Sequence, residues 1–240
     1  WDCGEFIATS YILGVPHPPG SPLFLLLGNV FSNIPFLNDI GARVNLISPI
    51  VSALSVMFLY LIIVQLIEEF NGKTKDTSSL IINNISAFLA ALTFAATDSH
   101  WFNAVEAEVY SLSTFFTAIV IWMILKWASL SNNSWNIRYL LLIAYMLGLA
   151  IGIHILNLLA LPFIGLIIYF KKYNYSFKSF LMVMLLTLMA FTMIYSGIIL
   201  GLPDIISKFN SLYIIVLGIG LVILSILFLH ISSFNNSLLP

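Results

Sequence analysis

The chain has 240 residues, of which 60% are hydrophobic and 8% are charged, and its formal net charge is −1. About a quarter of the residues in a soluble domain are charged, so this composition excludes a soluble globular protein and predicts an all-α, polytopic membrane protein. Cys3 is the single cysteine, which excludes an internal disulfide and a thiolate metal cluster.

The first twenty residues place two carboxylates and a histidine beside a rigid turn. Asp2 and Glu5 are three residues apart and would share one face of a helix. His17 follows, and the prolines after it break the helix and hold the imidazole in a turn. Charged groups this close to membrane segments are expensive to bury and so suggest a function. The alternative is that Asp2 caps the helix with Glu5 as its capping-box partner, and local spacing leaves both interpretations open.

The apolar stretches that follow predict the membrane helices. Residues 22–34 are too short to cross a bilayer, because a span needs about 20 residues, so we expect an amphipathic helix lying at the interface. Residues 138–170 are too long for one span and predict two short helices that meet near 153–157. A loop or helix start is expected at 98–108, and a loop at 203–211. The predicted spans are 42–67, 80–97, 109–127, the two halves of 138–170, 179–200 and 212–230.

These elements predict a single transmembrane domain over residues 1–240. An extracytoplasmic loop with interfacial helices occupies 1–41, and about seven membrane helices occupy 42–230. The chain starts at Trp1 without a methionine or a signal-like segment, so we expect it to be a fragment of a longer protein.

With few exceptions, basic and acidic residues separate to opposite ends of the predicted spans. By the positive-inside rule the basic end is cytoplasmic and the acidic end extracytoplasmic. His17, His100 and His154 join the acidic end, so the ionisable groups that are hardest to explain as anchors converge on one face. The basic set is Lys73, Lys75, Lys126, Arg138, Lys171, Lys172 and Lys178, and the acidic set is Asp2, Glu5, Asp39, Asp98, Glu106, Glu108 and Asp204.

Glu106 and Glu108 precede a predicted span at the acidic end. Two residues apart, they would diverge by about 200° on a helix, so one should face a cleft shared with Asp2 and Glu5 and the other should face water. Such a cleft can supply a general base, a divalent-cation site or a proton relay. The alternative is that both acids mark a helix N-terminus, where the helix dipole favours them.

Three further residues at the acidic end are candidates for ligand contact. Arg43 can be a snorkelling anchor, or its planar fork can bind a phosphate bidentately, and we favour the phosphate. His154 and Asn157 are three residues apart near the expected junction of the two short helices. Either they contact a ligand, or the histidine only satisfies a neighbouring carbonyl.

Several stretches together resemble the bacterial protein-O-mannosyltransferase-like membrane family, long catalogued as a domain of unknown function. The resemblance covers residues 1 to 172 and is specific as a set. The stretches are W-D-C-G-E-F-I-A-T, H-P-P-G-S-P-L-F-L-L-L-G, R-V-N-L-I-S at 43–48, N-A-V-E-A-E-V-Y at 103–110 and G-I-H-I-L-N-L-L at 152–159.

This family is similar to the GT-C glycosyltransferases, multipass enzymes that use a polyprenyl-phosphate-linked sugar and carry an acidic motif in the first extracytoplasmic loop. The resemblance implies a GT-C-like helix bundle in which Asp2 is the candidate base, Glu5 its acidic partner and Arg43 a donor-phosphate contact. His17, Glu106, Glu108, His154 and Asn157 complete the expected donor and substrate site. The acids here are D-x-x-E rather than adjacent, so which carboxylate is the base stays open.

The expected partners are a polyprenyl-phosphate-sugar donor, a protein or glycan hydroxyl acceptor and the lipid bilayer, with no nucleic acid. The expected location is a bacterial inner membrane, with the site facing outward. No cofactor is implied with certainty, and a divalent cation at the acidic residues stays an open alternative. An ion-coupled transporter would also suit outer carboxylates and a broken helix pair, and a non-catalytic membrane subunit is the third interpretation. The predicted spans hold almost no acids, which favours the enzyme.

Overall fold

The structure, a computed structural model, describes residues 2–18, 20–72, 76–130 and 136–208. The predicted span 212–230 lies outside the described residues, as do Lys73 and Lys75 of the predicted basic set. The chain divides into two compact units, Trp1–Thr187 and Leu188–Pro240.

Within these described ranges all regular structure is helical and no strand occurs. Two elements are not α-helical: a short 3-10 helix at Ile155–Leu159 and a π-helical stretch at Met193–Gly201. A short α-helix at Ile40–Asn45 leads almost directly into the next one. The α-helices are α1 Cys3–Ile12, α2 Pro22–Asn33, α3 Ile40–Asn45, α4 Ile47–Asn71, α5 Thr77–Ala95, α6 Asp98–Ala104, α7 Val109–Ser129, α8 Asn136–Ile151, α9 Ala160–Lys172, α10 Phe177–Thr192 and α11 Leu202–Ser207.

Five helical stretches are long and apolar enough to cross a membrane, and α2 and α8 are shorter apolar helices. The all-α, polytopic membrane class predicted from the composition is thereby confirmed. The total of about seven membrane helices stays a prediction, because one of the predicted spans is not described. The five stretches are Ile40–Asn71, Thr77–Ala95, Val109–Ser129, Ile155–Lys172 and Phe177–Ser207.

The predicted break within 138–170 is confirmed. α8 ends at Ile151, the 3-10 helix Ile155–Leu159 follows, and α9 begins at Ala160. Asn157 holds this break together, because its side-chain amide donates to the carbonyls of Ala150 at 2.7 Å and His154 at 2.8 Å. Ala150 is in the last turn of α8 and His154 precedes the 3-10 helix, so the Asn157 side chain bridges the two sides of the break.

The predicted loop at 203–211 is wrong for its described first part, because Leu202–Ser207 is helical. α11 continues directly from the π-helical stretch, so Phe177–Ser207 is one uninterrupted helical stretch that includes Pro203. A proline inside such a stretch removes one backbone hydrogen bond, and here it lies just after the π-helical stretch Met193–Gly201. Unit 2 thus consists, in its described part, of the end of α10, the π-helical stretch and α11, where Lys208 Nζ lies 2.9 Å from Asp204 Oδ2.

In unit 1, α7 is the central helix and packs against α4, α8 and α9. One buried cluster joins α1, α2 and α3 to the start of α7, and includes Phe6, Phe24, Val44 and Leu112. A second cluster joins the far half of α7 to α8 and α9, around the buried Trp127. Since burial of each large apolar side chain stabilises a fold by about 1.5–3 kcal/mol, the first cluster anchors the polar start of the chain onto the bundle.

Two hydrogen bonds fix the start of α2 to the break after α8. The Leu23 backbone N–H donates to the Gly152 carbonyl at 3.1 Å, and Ser21 Oγ donates to the Ile153 carbonyl at 2.9 Å. Asn45 Nδ2 similarly donates to the Val105 carbonyl at 2.9 Å, which links the end of α3 to the loop before α7. The motif stretches at the start of the chain, at 103–110 and at 152–159 are therefore brought together by direct contacts.

Candidate functional site

The candidate site begins at the first turn of α1. Asp2 is the N-cap residue, yet its side chain makes no capping hydrogen bond. The carboxylate of Glu5 is also turned away from the helix N-terminus and contacts His17 instead. The capping-box alternative is therefore wrong, because neither carboxylate serves the backbone of its own helix.

Glu5 binds His17 through both carboxylate oxygens. Oε1 accepts the His17 backbone N–H at 2.7 Å, and Oε2 lies 2.8 Å from His17 Nδ1. These hydrogen bonds lower the pKa of the Glu5 carboxyl below its ordinary value, and the side-chain bond raises the pKa of the His17 imidazole. The contact thus favours the ionised form of the Glu5 carboxyl and increases the affinity of the His17 imidazole for a proton.

His17 reaches Glu5 because the chain reverses after α1. Leu13 ends the helix in the left-handed conformation with a φ of 51°, and the Gly14 N–H returns to the Thr9 carbonyl at 2.8 Å. Beyond His17 the Gly20 N–H donates to the His17 carbonyl at 3.0 Å, and Gly20 has a φ of 76°, a value that favours glycine. The imidazole ring lies against Phe6, with 5.8 Å between ring centroids.

Asp2 completes this group from the other side of the imidazole. His17 Nε2 lies 3.9 Å from Asp2 Oδ2, and the two side chains are 47% and 50% exposed. This separation is too long for a direct hydrogen bond but leaves both atoms open to a molecule that binds above them. We call Asp2, Glu5 and His17 the acidic cluster.

Glu108 adds a buried carboxylate to the acidic cluster. It is the N-cap residue of α7, it is 7% exposed, and its side chain makes no cap bond to α7. Its Oε1 instead accepts the backbone N–H of Asp2 at 3.2 Å, across 106 positions of sequence. Burial raises the pKa of the Glu108 carboxyl, and the nearby Asp2 carboxylate acts in the same direction.

Glu106 and Glu108 differ in burial, and both precede the helix rather than lie on it; the predicted cleft between Glu108 or Glu106 and the acids of α1 stays a prediction. The loop turns sharply, with the Glu108 N–H donating to the Glu106 carbonyl at 2.8 Å. Glu108 is buried against the start of α1, and Glu106 stays partly exposed. The sequence identified both acids as candidates but did not indicate which of the two would be buried.

Arg43 lies in α3 and its guanidinium binds backbone carbonyls. Its Nε donates to the Leu37 carbonyl, and one terminal nitrogen donates to the Ser32 carbonyl at 2.8 Å. These bonds tie the end of α2 and the following loop to α3. The phosphate contact expected of Arg43 stays a prediction. It would be made by the guanidinium N–H groups that do not bond to these carbonyls.

His154 and Asn157, at the break after α8, have different surroundings. The His154 ring lies 5.4 Å from the Tyr110 ring, and its Nδ1 accepts the Leu156 N–H at 3.3 Å. Asn157 is 3% exposed, and its side-chain oxygen accepts from Thr117 Oγ1 at 2.7 Å and from Ser113. Since its amide group is also used, this geometry favours a structural role for Asn157 over ligand contact.

Tyr110 was missed by sequence reasoning. It is half exposed, it follows Glu108 by two residues, and its ring is the one that packs against His154. The available signal was its place at the end of the N-A-V-E-A-E-V-Y stretch. A tyrosine between a buried acid and a histidine is a candidate for sugar contact, because its ring and hydroxyl combine an apolar face with a polar end.

A divalent cation at the acidic cluster stays an open alternative, because one ligand atom from each residue lies within 4.8 Å of the others. An ionised carboxylate only accepts hydrogen bonds, so His17 Nδ1 carries a proton toward Glu5 and cannot be a ligand. His17 Nε2, the Asp2 oxygens and the remaining lone pairs of the Glu5 oxygens are left, and a hard cation such as Mg²⁺ needs only one or two carboxylates beside water and phosphate. No step proposed below uses a metal.

An apolar cavity of about 250 Å³ lies elsewhere in unit 1, between α4, α6 and the end of α5. It is lined in part by Ser52, Ala95, His100 and Trp101. None of the predicted site residues lines it. We also predict from the sequence that one cavity is shared by Asp2, Glu5, His17, Arg43 and at least one of Glu106 and His154, and this stays a prediction.

Comparison with known proteins connects these motifs to a family. Residues 2–179 match the family model of the protein O-mannosyl-transferase TMEM260 N-terminal domain. The chain is 28% identical to the protein O-mannosyl-transferase tmem260 of Dictyostelium discoideum over 175 residues, which is 68% of this chain and 20% of that relative. It is 29% identical to protein O-mannosyl-transferase TMEM260 of Mus musculus over 120 residues, 50% of this chain and 15% of that relative.

The matched regions thus span a fifth or less of the length of these relatives. No solved structure gives a significant match to this chain. The family match begins at Asp2 and includes the acidic cluster, Arg43, Glu108 and His154.

Proposed function

The chain belongs to the family of the protein O-mannosyl-transferase TMEM260 N-terminal domain, and on that premise we propose that it supplies the catalytic part of a membrane glycosyltransferase. The enzyme transfers a sugar, mannose by the name of its relatives, from a polyprenyl-phosphate-linked donor to a hydroxyl acceptor. Transfer takes place at the extracytoplasmic face, in a GT-C type of bundle.

One observation carries this proposal most strongly. The carboxylates of Asp2 and Glu5 are free of any capping role and meet His17 at the start of α1, inside the region that matches the family. Structural carboxylates at a helix N-terminus usually accept backbone N–H groups of their own first turn. The absence of such bonds from the side chains of both residues supports a chemical role.

The reaction needs one proton acceptor and one group that stabilises the leaving phosphate. The bond from the sugar C1 to the donor phosphate oxygen breaks, and its electron pair leaves with the phosphate. The acceptor oxygen forms a new bond to C1, and its proton passes to Asp2. A carboxylate that activates a hydroxyl in this way resembles the base of an inverting glycosidase.

Arg43 is proposed to bind the leaving phosphate. Arginine has five N–H donors, and the carbonyls of Leu37 and Ser32 use Nε and one terminal nitrogen. The carbonyl bonds hold the guanidinium in place, so the remaining N–H groups are preorganised for charge that develops on phosphate. The lipid tail of the donor would lie along the apolar surfaces of the membrane helices.

The test is a transfer assay on the full-length protein in membranes. Polyprenyl-phosphate mannose should give a labelled protein acceptor, and GDP-mannose should give none once endogenous lipid donor is removed. The matched control is the double variant Asp2→Asn and Glu5→Gln, which keeps both side-chain shapes. Transfer at the wild-type rate by this variant, or none by the wild type with the lipid donor, would overturn the proposal.

A further inference from the structure

We infer that the proton lost by the acceptor hydroxyl comes to rest on His17 Nε2, and that Glu5 positions the imidazole to receive it. The inference rests on the proposed function and extends it, since it assigns the histidine and the second carboxylate separate tasks. Asp2 is then the first proton acceptor, and His17 is the second.

Glu5 determines which nitrogen of His17 is available. Its Oε2 lies 2.8 Å from Nδ1, and its Oε1 accepts the His17 backbone N–H at 2.7 Å. A carboxylate accepts and does not donate, so in the neutral imidazole the proton is on Nδ1 and the lone pair is on Nε2. A carboxylate that orients a histidine through Nδ1 leaves Nε2 as the base, which is the arrangement of hydrolase triads.

The available nitrogen faces Asp2. Nε2 lies 3.9 Å from Asp2 Oδ2, and both side chains are open to solvent. Proton transfer needs a distance of about 2.6–3.2 Å or one bridging water, and such distances are often longer before substrate binds. A hydroxyl placed above the pair can contact Asp2 first, and the proton can then move to Nε2 with a small adjustment or through a water.

The surroundings of His17 favour acceptance of a proton. The charged or titratable groups that face it are Glu5 and Asp2 on α1 and Glu108 at the start of α7, and all three raise the pKa of the imidazole. A carboxylic acid is in general a stronger acid than an imidazolium, so a proton delivered first to the carboxylate moves downhill to the ring. Phe6 packs against the ring and limits its rotation.

The transfer reaction needs no reactant besides the sugar donor and the acceptor hydroxyl. The acceptor O–H bond breaks as the bond from its oxygen to the sugar C1 forms, and the phosphate leaves with the electron pair of the former C1–O bond. The proton goes from the acceptor to an Asp2 oxygen and then to Nε2, which makes His17 an imidazolium paired with Glu5. Loss of that proton to water resets the site.

The test is the pH dependence of kcat in the full-length protein. If His17 must be neutral to accept the proton, kcat should rise as pH passes through the pKa of His17. Because Glu5 raises that pKa, the midpoint should lie above about 6.5, the ordinary imidazole value. A carboxylate acting alone would place the rise near pH 4.

Two variants separate the roles. Glu5→Gln keeps an oxygen that accepts the Nδ1 proton but removes the charge, so the midpoint should move to lower pH. His17→Gln should abolish this part of the profile and lower kcat by about 10²-fold, the lower end of what a positioned proton acceptor supplies. The control His100→Gln makes the same substitution at another histidine of the acidic end and should leave both quantities unchanged.

Each outcome decides between the two proposals. Sugar transfer whose pH profile is the same in wild type, Glu5→Gln and His17→Gln would overturn the role of His17 and leave the glycosyltransferase proposal intact. Absence of transfer from the lipid donor in wild type would overturn both. Should His17→Gln fail to fold, the direction of the midpoint change in Glu5→Gln still decides.

Discussion

At the scale of single residues, Arg43 combines two tasks that one substitution can separate. Its guanidinium ties the Ser32 and Leu37 carbonyls to α3, and its free N–H groups are proposed to bind the donor phosphate. A lysine keeps the charge but loses the planar fork that can serve carbonyls and phosphate at once. The proposed phosphate task gives a reason for a basic residue at the predicted acidic end, where Lys208 is the other one.

We expect Arg43→Lys to raise the KM for the lipid donor by more than it lowers kcat. Steady-state kinetics of the full-length protein with polyprenyl-phosphate mannose measures both quantities. Arg138→Lys, the same substitution at the predicted cytoplasmic end, is the matched control and should leave the donor KM unchanged. A fall in kcat at unaltered donor KM in Arg43→Lys would contradict phosphate binding by this residue.

The sequence supplied the candidate site residues, but it could not supply the contacts between them. The D-x-x-E spacing fitted both a capping box and a chemical site, and the structure excludes the capping box because Glu5 contacts a residue twelve positions away. That contact depends on the left-handed turn at Leu13, a position where sequence favours glycine. The Glu108 contact with Asp2 joins loops 106 positions apart, which no local pattern encodes.

At the scale of elements, α1 and α2 pack closely through one glycine. A Cβ added to Gly28 in α2 would lie 2.3 Å from Ser10 Oγ and 2.7 Å from Ser10 Cβ, and Ser10 is fully buried in α1. These distances are shorter than the closest approach of non-bonded atoms, so the helices must move apart to admit a methyl group. Because α1 carries Asp2 and Glu5, the position of the acidic cluster depends on this contact.

We expect Gly28→Ala to destabilise the protein by about 1–3 kcal/mol, the usual effect of overpacking, and to lower transfer activity. The matched control is Gly148→Ala in α8, where an added Cβ meets nothing within 4 Å and helix propensity favours alanine. Thermal unfolding of the two variants in detergent gives the comparison. Equal melting temperatures for Gly28→Ala and wild type would show that α1 and α2 are not held in this contact.

Hydrophobic length predicted most of the helices, because the period and extent of apolar residues are local properties. The break between α8 and α9 was predicted because the apolar stretch 138–170 is too long for one span and too short for two full spans. The helical segment at Leu202–Ser207 was not predicted, because a helix that runs on through a proline is an exception to the local preference of that residue. The position of α2 on α1 could not be predicted, since it depends on tertiary contacts such as that of Asn29 Nδ2 with the Ser10 carbonyl.

At the scale of the whole molecule, the described helices place the motifs of the family together at one end of unit 1. α7 runs from Glu108, beside the acidic cluster, to Lys126 in its last turn. The direction of α7 therefore agrees with the charge separation that underlies the proposed extracytoplasmic location of the site. The matched part of the chain is a fifth or less of the length of its relatives. Binding of the acceptor protein is therefore proposed for the full-length protein and not for named residues of this chain.

The central claim is that Asp2 takes a proton during sugar transfer, and Asp2→Asn tests it directly in the full-length protein. Asparagine keeps the shape of the side chain but cannot accept a proton at neutral pH, so turnover should fall by about 10² to 10⁴ while lipid-donor binding stays nearly unchanged. Asp39→Asn is the matched control, because Asp39 Oδ1 caps α3 through the Ala42 N–H at 3.2 Å and asparagine caps about as well. Unchanged turnover in Asp2→Asn, together with unchanged turnover in Glu5→Gln, would leave the proposed transferase without a base and would contradict the claim.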